Sequence, residues 1–265
     1  MSIRAWIEMN RDAWNTLAEK HYLRFSQQFK ENKIHLNPLL IPHLNDIKGK
    51  KVLHLQCNTG ADSILLSRLG AQVVGVDFAP DNIHFAKKLA HDCNEDITFV
   101  IGDATRLWEV LDEKFDMIIT FDGVLGWLMD LNDWAKGLRH CIKDDGKIIV
   151  LDTHPFYYVF DEEGLPQGQS LIKYPYFHFD VEVNEDIGGY AGEPTVAKNG
   201  FKPIMMSQII NACANNNLMI THMEEYDRCD PGMGGDTMMG DLMVHQHFIG
   251  KIPIMMYCEI KPIKL

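Results

Sequence analysis

The chain reads as an α/β protein: a doubly wound, seven-stranded, mostly parallel sheet with helices on both faces and a β-rich insertion after the fifth strand. Three observations point there. Short apolar runs alternate with helical patterns from residue 51 to 151, and strands written as near-continuous apolar runs suit a parallel sheet buried on both faces. The connections have the length of βαβ units. Two further apolar runs near the C-terminus complete the same sheet.

The elements follow in order. Ile3 to about Phe29 recurs at helical spacing through Trp6, Trp14, Leu17 and Tyr22, which predicts one N-terminal helix. A polar linker with Pro38 and Pro42 follows. Lys51–Leu55 is the first strand and enters a turn at Cys57–Gly60. Asp62–Leu69 is a helix closed by Gly70. Gln72–Val76 is the second strand, with Asp77 at its end, and Asp81–His91 the next helix. Ile97–Ile101 is the third strand, ending in Gly102 and Asp103, and a helix spans roughly Ala104–Leu111. Asp116–Thr120 is the fourth strand and Leu131–Ile142 a helix. Asp144, Asp145 and Gly146 form a turn before the fifth strand, Lys147–Leu151. After Pro155 the rhythm changes. Tyr157–Ala191 is rich in aromatics and acids without a helical pattern, and the run YPYFHFDVEV alternates partly, like a hairpin. Pro203–Asn217 is a helix, Leu218–Tyr226 a strand, CDPGMGGDTMMGD a loop and Pro253–Ile260 the last strand.

Composition narrows the function classes. With 46% hydrophobic residues in 265 the chain is an ordinary globular protein. Its net charge of −12 and the lack of any Lys/Arg run longer than a pair or so argue against a nucleic-acid partner, which needs basic surface. No stretch approaches the ~20 apolar residues of a membrane span, and MSIRAWIEMNRDAW has no signal-peptide core. Cys57, Cys93, Cys141, Cys213, Cys229 and Cys258 stand singly, which argues against a thiolate zinc site and for free thiols in the cytoplasm. His245 and His247 would share a face in a strand, but no third ligand is evident, so no metal is expected. The methionines fill core and pocket gaps.

In an open α/β sheet, ligands bind beyond the carboxyl ends of the strands. Gln56, Asn58 and Gly60 stand after the first strand, where a turn leads into a helix N-terminus that favours an anionic group. Asp77 ends the second strand, 17 residues after Gly60, near the ~20 expected of an acid that takes a ribose diol. Asp103 follows the third strand and can accept an exocyclic amine. Phe121 and Asp122 follow the fourth strand, Asp152 and His154 the fifth. A neutral His154 imidazole, oriented by Asp152, would suit an acceptor-side general base.

At these positions the sequence resembles the class I S-adenosylmethionine-dependent methyltransferases. VLHLQCNTG stands where that family writes V-L-D-L-G-C-G-T-G, with Val52, Leu53, Leu55, Cys57, Thr59 and Gly60 matching. GVDFA at Gly75–Ala79, IGDATRL at Ile101–Leu107, FDMIITFDGVLGWL and LRHCIKDDGKIIVLD follow the later motifs in order. The resemblance covers roughly Lys51 to Asp152 well and the C-terminal elements weakly. It implies one Rossmann-like methyltransferase domain over 1–265, with an N-terminal lid helix at about 1–30, a core at about 35–155 and 203–265, and an insertion at about 156–202. It implies S-adenosylmethionine as cofactor and S-adenosylhomocysteine as product. His54, Gln56, Asn58, Gly60, Asp77, Phe78, Asp103, Ala104 and Phe121 would face the cofactor. Tyr22 and Trp127 would face a small-molecule acceptor, whose nucleophile, N or O, stays open. Trp14 and His21 on the first helix would join the lid.

The first motif departs from the family. His54 replaces its acid, and Gln56 and Asn58 replace two glycines. In the family that acid helps hold the methionine amino group, and the glycines admit the cofactor. Asn58 tolerates positive φ, and the Gln56 amide can bond the amino-acid end instead. The H-L-Q-C variant resembles a branch of small-molecule methyltransferases. Two rivals stand beside this reading. One is a cofactor-binding or interaction module without turnover, suggested by the altered motif. The other is a nicotinamide-dependent oxidoreductase, disfavoured because only Gly60 remains of a G-x-G-x-x-G turn.

Overall fold

The protein was analysed as a computed structural model, in which residues 1–177, 180–188 and 193–264 are described. His178, Phe179 and Tyr190 of the aromatic insertion lie outside the described residues. The chain begins with α1 (Ile3–Asn15) and α2 (Ala18–Lys30) rather than one continuous helix. The break falls at Thr16 and Leu17, whose amides bond to Ala13 and Trp14 three residues back, and buried Leu17 packs with Ile187 of the insertion.

The alternating part runs β1 (Lys51–Leu55), α3 (Ala61–Arg68), β2 (Gln72–Asp77), α4 (Pro80–Asp92), β3 (Thr98–Ile101), β4 (Phe115–Phe121), α5 (Leu131–Cys141) and β5 (Ile142–Thr153). The helix expected over Ala104–Leu111 is only a 3-10 turn at Leu107–Glu109. The Asp103 carboxylate takes the Thr105 amide and hydroxyl, each at 2.8 Å, which turns the chain locally before a helix can start. β5 begins five residues earlier than expected: Ile142 already pairs with Phe115, with an irregularity before Lys147 meets Met117.

The C-terminal half contributes β6 (Glu182–Ile187), β7 (Thr195–Phe201), α6 (Met206–Asn215), β8 (Leu218–Tyr226), β9 (Arg228–Cys229), β10 (Thr237–Met239), β11 (Leu242–Val244) and β12 (Met255–Pro262). β6 and β7 form an antiparallel hairpin, so the insertion is β-rich, with arms displaced C-terminally from the run that suggested them. The Gly/Met/Asp segment expected as a loop folds partly into a small sheet ordered β10-β11-β9.

The main sheet has seven strands in the order β3-β2-β1-β4-β5-β12-β8. β1 to β5 pair in parallel, and β12 runs antiparallel to both neighbours. Period-two alternation divides its side chains between two cores. Leu53, Ile118, Ile148, Val150 and Cys258 pack with Trp134 and Leu138 of α5 and Ile209 of α6. Val52, Ile119, Ile149, Leu151 and Tyr257 pack on the other face with Leu39, Leu40, Leu44 and Tyr157. No helix among the described residues is long and apolar enough to cross a membrane.

Candidate functional site

A cavity of about 470 Å³ lies over the carboxyl ends of β1 to β4, within the usual size of small-ligand sites. The turn after β1 forms its floor. Gln56 (φ 58) and Asn58 (φ 49) both adopt the left-handed conformation that glycine takes without strain. The Asn58 side-chain oxygen accepts the Thr59 amide at 2.7 Å and lies 3.0 Å from His21 Nδ1. The Gln56 amide donates to the Val124 carbonyl at 3.1 Å and accepts the Thr120 hydroxyl at 3.3 Å, so it ties this turn to the segment after β4. His54 is buried, bonds Ser63 Oγ at 2.8 Å through Nδ1 and stacks on Phe121 at 5.2 Å. Burial lowers its pKa to about 3, so the ring is neutral near pH 7. Thr59 lines the cavity with a buried hydroxyl that has no partner among the described residues.

Gln56→Gly sets two effects of similar size against each other. Release of a left-handed non-glycine residue is worth roughly 1–2 kcal/mol, and a lost hydrogen bond costs roughly 1 kcal/mol. Stability in urea should therefore change little. Affinity for S-adenosylhomocysteine should fall because the two cavity walls are no longer tied. An unchanged or tighter dissociation constant by calorimetry removes Gln56 from the binding surface.

Asp77, at the tip of β2, is 5% exposed. One carboxylate oxygen accepts the Asn58 amide at 2.9 Å; the other accepts the Ala79 amide at 2.9 Å and the Asn82 side-chain amide at 3.1 Å. Burial raises its pKa in spite of these donors. Phe78, Asp103 and Ala104 line the adjoining wall over β2 and β3.

Beyond β4, Phe121, Asp122, Gly123, Val124 and Trp127 line the opposite wall. Asp122 (φ 65) and Gly123 (φ 79) are left-handed. Asp152, buried on β5, accepts the backbone amides of Gly123, Val124 and Leu125 at 3.1, 3.0 and 2.8 Å and its neighbour Thr153 at 2.6 Å. Burial nevertheless pushes its pKa up to about 6. The roof comes from the N-terminal helices and the insertion: Trp14, Phe25 and Ile187 face the cavity. Trp14 meets Trp127 edge-on at 5.1 Å, and Trp127 meets Phe201 at 5.4 Å. A Cβ at Gly126 would come within 2.1 Å of the Phe201 ring, so only glycine permits this approach.

The cavity also holds Asp122 after β4, expected from its place at the strand end, and two carboxylates that were not among the sequence candidates: Asp62 in the first turn of α3 and Asp230 after β9. Burial and Asp230 push the Asp62 pKa up to about 7. Burial, then Asp62, hold Asp122 well above the carboxylate range, against a 2.7 Å bond from Asn37. Burial raises Asp230 as well. Asp62 carried a visible signal as an acid in a helix N-terminal turn. The position of Asp230 depends on the fold of a distant segment.

Thus His54, Gln56, Asn58, Asp77, Phe78, Asp103, Ala104, Phe121 and Trp127 meet at one cavity. Three expected residues do not. His154 is absent from the lining, because the strand ends at Thr153 and the ring turns across β12 to Glu225, 2.9 Å from Nε2. Its Nδ1 accepts the Phe156 amide at 3.1 Å, and the Asp152 carboxylate serves the backbone after β4, so the pair expected at the acceptor does not form. Tyr22 faces α4 instead: its hydroxyl donates to Asp92 at 2.6 Å, and its ring stacks on Phe85 at 5.2 Å. Gly60 (φ 76) faces Phe99, whose ring would lie 2.8 Å from an added Cβ, so its need for glycine is internal packing. His245 lies just beyond β11 rather than within a strand, between Asp236 at 2.9 Å and the Tyr157 hydroxyl at 2.8 Å, and His247 sits in a 3-10 turn.

Residues 52–146 match the family model described as a methyltransferase domain. The fold is shared with solved methyltransferases. The chain aligns along its whole length with DhpI, solved as a complex with SAH, at TM-score 0.59 and 14% identity, covering 100% of both chains. It also resembles the glycopeptide N-methyltransferase MtfA complexed with S-adenosyl-L-methionine, at TM-score 0.54 and 12% identity, over 84% of this chain and 91% of that one. Among curated proteins it is similar to the ubiquinone biosynthesis O-methyltransferase of Glaesserella parasuis, 34% identical over 125 residues, covering 43% of this chain and 52% of that protein. The chain thus spans about half the length of that relative.

Proposed function

We propose that the protein transfers the methyl group of S-adenosylmethionine to a small-molecule acceptor held in the same cavity. The observation that carries this reading is the cavity over the strand tips, with Asp77 and Asp103 on the β2 and β3 side and an aromatic roof over the β4 side. The residues present fit the cofactor's chemistry: carboxylates for hydroxyl and amine donors, aromatic faces for a sulfonium, and on the floor the Thr59 hydroxyl, which has no partner among the described residues. When bound, the cofactor supplies an electrophilic methyl group and a thioether leaving group. Asp77 would take the ribose diol and Asp103 the adenine amine. Phe78, Ala104 and Phe121 would pack against the cofactor, and His54, Gln56 and Asn58 would form the floor under its amino-acid end. Trp127 and Trp14 would exclude water and align the acceptor, which is how such a site lowers a displacement barrier. No step is assigned to His154, which lies away from the cavity.

Calorimetry of the full chain with S-adenosylhomocysteine and, separately, with NAD tests this reading. Binding of the first and not the second is expected. Binding of NAD alone would replace methyl transfer by hydride chemistry, and S-adenosylhomocysteine binding without turnover across amine and hydroxyl acceptors would favour a non-catalytic module.

A further inference from the structure

The turn after β1 is bonded to a helix of the roof. Asn58 stands where the methyltransferases it resembles write glycine, and its side-chain oxygen accepts the Thr59 amide at 2.7 Å. A backbone amide can only donate, so this bond fixes which end of the Asn58 side chain is oxygen. The same oxygen lies 3.0 Å from Nδ1 of His21 on α2, so that nitrogen carries the proton and donates. His21 is 1% exposed, and burial lowers its pKa, so the ring is neutral near pH 7. The Asn58 amide donates in turn to Asp77 at 2.9 Å. Asn58 alone therefore separates His21 from the carboxylate assigned to the ribose diol.

The same imidazole meets the roof. Its centre lies 6.2 Å from the Trp14 ring and 6.0 Å from the Phe25 ring, and both of those side chains line the cavity. Trp14 continues to Trp127 on the opposite wall. Docking of α2 does not depend on the Asn58 bond, because Tyr22 bonds Asp92 and stacks on Phe85 of α4. Nor does packing call for an imidazole here. A phenyl ring would fill the space between Trp14 and Phe25 without the cost of burying polar nitrogens. What histidine adds is the bond to the turn.

We propose that His21 is a positioning residue that couples occupancy of the turn after β1 to the aromatic roof, so that a seated cofactor holds Trp14 and Phe25 over the acceptor. This rests on the methyltransferase reading for the identity of the ligand on the floor. A ligand moves a second element only as far as it favours one of that element's positions. Cofactor held by Asp77 fixes the Asn58 turn, and a fixed Asn58 oxygen gives His21 an acceptor in one place. By reciprocity, a roof released from the turn weakens the cofactor. Glycine at position 58 offers no side-chain oxygen, so the coupling depends on this chain's departure from the family motif.

The test uses the full chain, His21→Phe, Asn58→Gly and the double variant, each shown to be folded by a thermal melt. S-adenosylhomocysteine is the probe, followed by calorimetry and by amide hydrogen exchange. In the wild type the ligand should slow exchange in the turn after β1 and also along α1 and α2. His21→Phe should bind about five-fold or more weakly, the low end of coupling between sites, with slowing confined to the turn. Placed in the Asn58→Gly background, the same change should cost nothing further, because the bond is already gone. His21→Asn carries a side-chain N–H close to the Nδ1 position; it should restore part of the slowing along α2, and it reads the coupling if the Phe variant does not fold. Equal slowing of α1 and α2 in wild type and His21→Phe overturns the proposal. So does an equal loss of affinity in both backgrounds, which marks a packing role alone. A wild type that binds no S-adenosylhomocysteine removes the methyltransferase reading and this coupling with it, whereas binding without any response of α1 and α2 removes the coupling alone.

Discussion

Asp152→Ala is expected to destabilise the protein by about 3–5 kcal/mol, the range for stripping a buried charged group from its partners, and to abolish binding in the cavity. The side chain is 2% exposed and accepts four backbone amides. Three belong to consecutive residues, Gly123 to Leu125, and no strand pairing serves them. Each buried donor left open costs roughly 1–3 kcal/mol; water entering as the segment loosens recovers part of that, which keeps the total below the sum. The segment begins with left-handed Asp122 and Gly123, a geometry that local preference does not hold for Asp. Without the carboxylate, Phe121, Asp122 and Trp127 lose their positions along one wall of the cavity. Urea denaturation gives the stability change, and S-adenosylhomocysteine calorimetry at a temperature where the variant is folded gives the binding loss. A stability change below about 1 kcal/mol would mean that the segment holds itself, and the structural role assigned to Asp152 would be lost.

The legible parts of this fold were those that local chemistry decides. KVLHL and QVVGVD are apolar runs bounded by turn residues, and they became β1 and β2 almost to the residue. A side chain at the end of such a strand has few places to go, so Asp77 and Asp103 were found at the cavity from position alone, whereas Phe78 came from the family resemblance. Positions that depend on a second element were not legible. Tyr22 and Phe25 share one helix three residues apart, and only the packing of α2 on α4 sends Phe25 to the cavity and Tyr22 to Lys88 and Asp92. Strand parity places Asp152 correctly on a face but does not say that its carboxylate turns to the β4 segment. Parity also stops at Thr153, and His154 is then captured by Glu225, a residue on β8 that the fifth strand meets only through β12. The break between α1 and α2 carries no glycine or proline; it is set by Leu17 packing with an insertion far along the chain.

Asp77→Ala is expected to weaken S-adenosylhomocysteine by ten-fold or more, and to do so through two routes. The direct route is loss of a charge-assisted bond to a diol, about 1.5–3 kcal/mol. The indirect route follows from the bonds the carboxylate makes inside the protein. With Ala, the Asn58 amide, the Ala79 amide and the Asn82 side chain all lose their acceptor. Asn82 Oδ1 already has no partner among the described residues, so that side chain loses its one recorded bond, and left-handed Asn58 loses the bond that holds the floor of the cavity. Stability should therefore fall as well, by about 2–4 kcal/mol. Asp77→Asn separates the routes, since it retains one acceptor oxygen and the side-chain shape while removing the charge. If the carboxylate meets the cofactor, Asn should keep most of the stability and still lose most of the affinity. If Asp77 serves only the turn, Asn should preserve affinity to the extent that it preserves the fold, and affinity should track stability across both variants. Unchanged S-adenosylhomocysteine affinity in a folded Asp77→Ala protein would exclude both routes, because neither the ligand contact nor the turn it organises would then matter to binding.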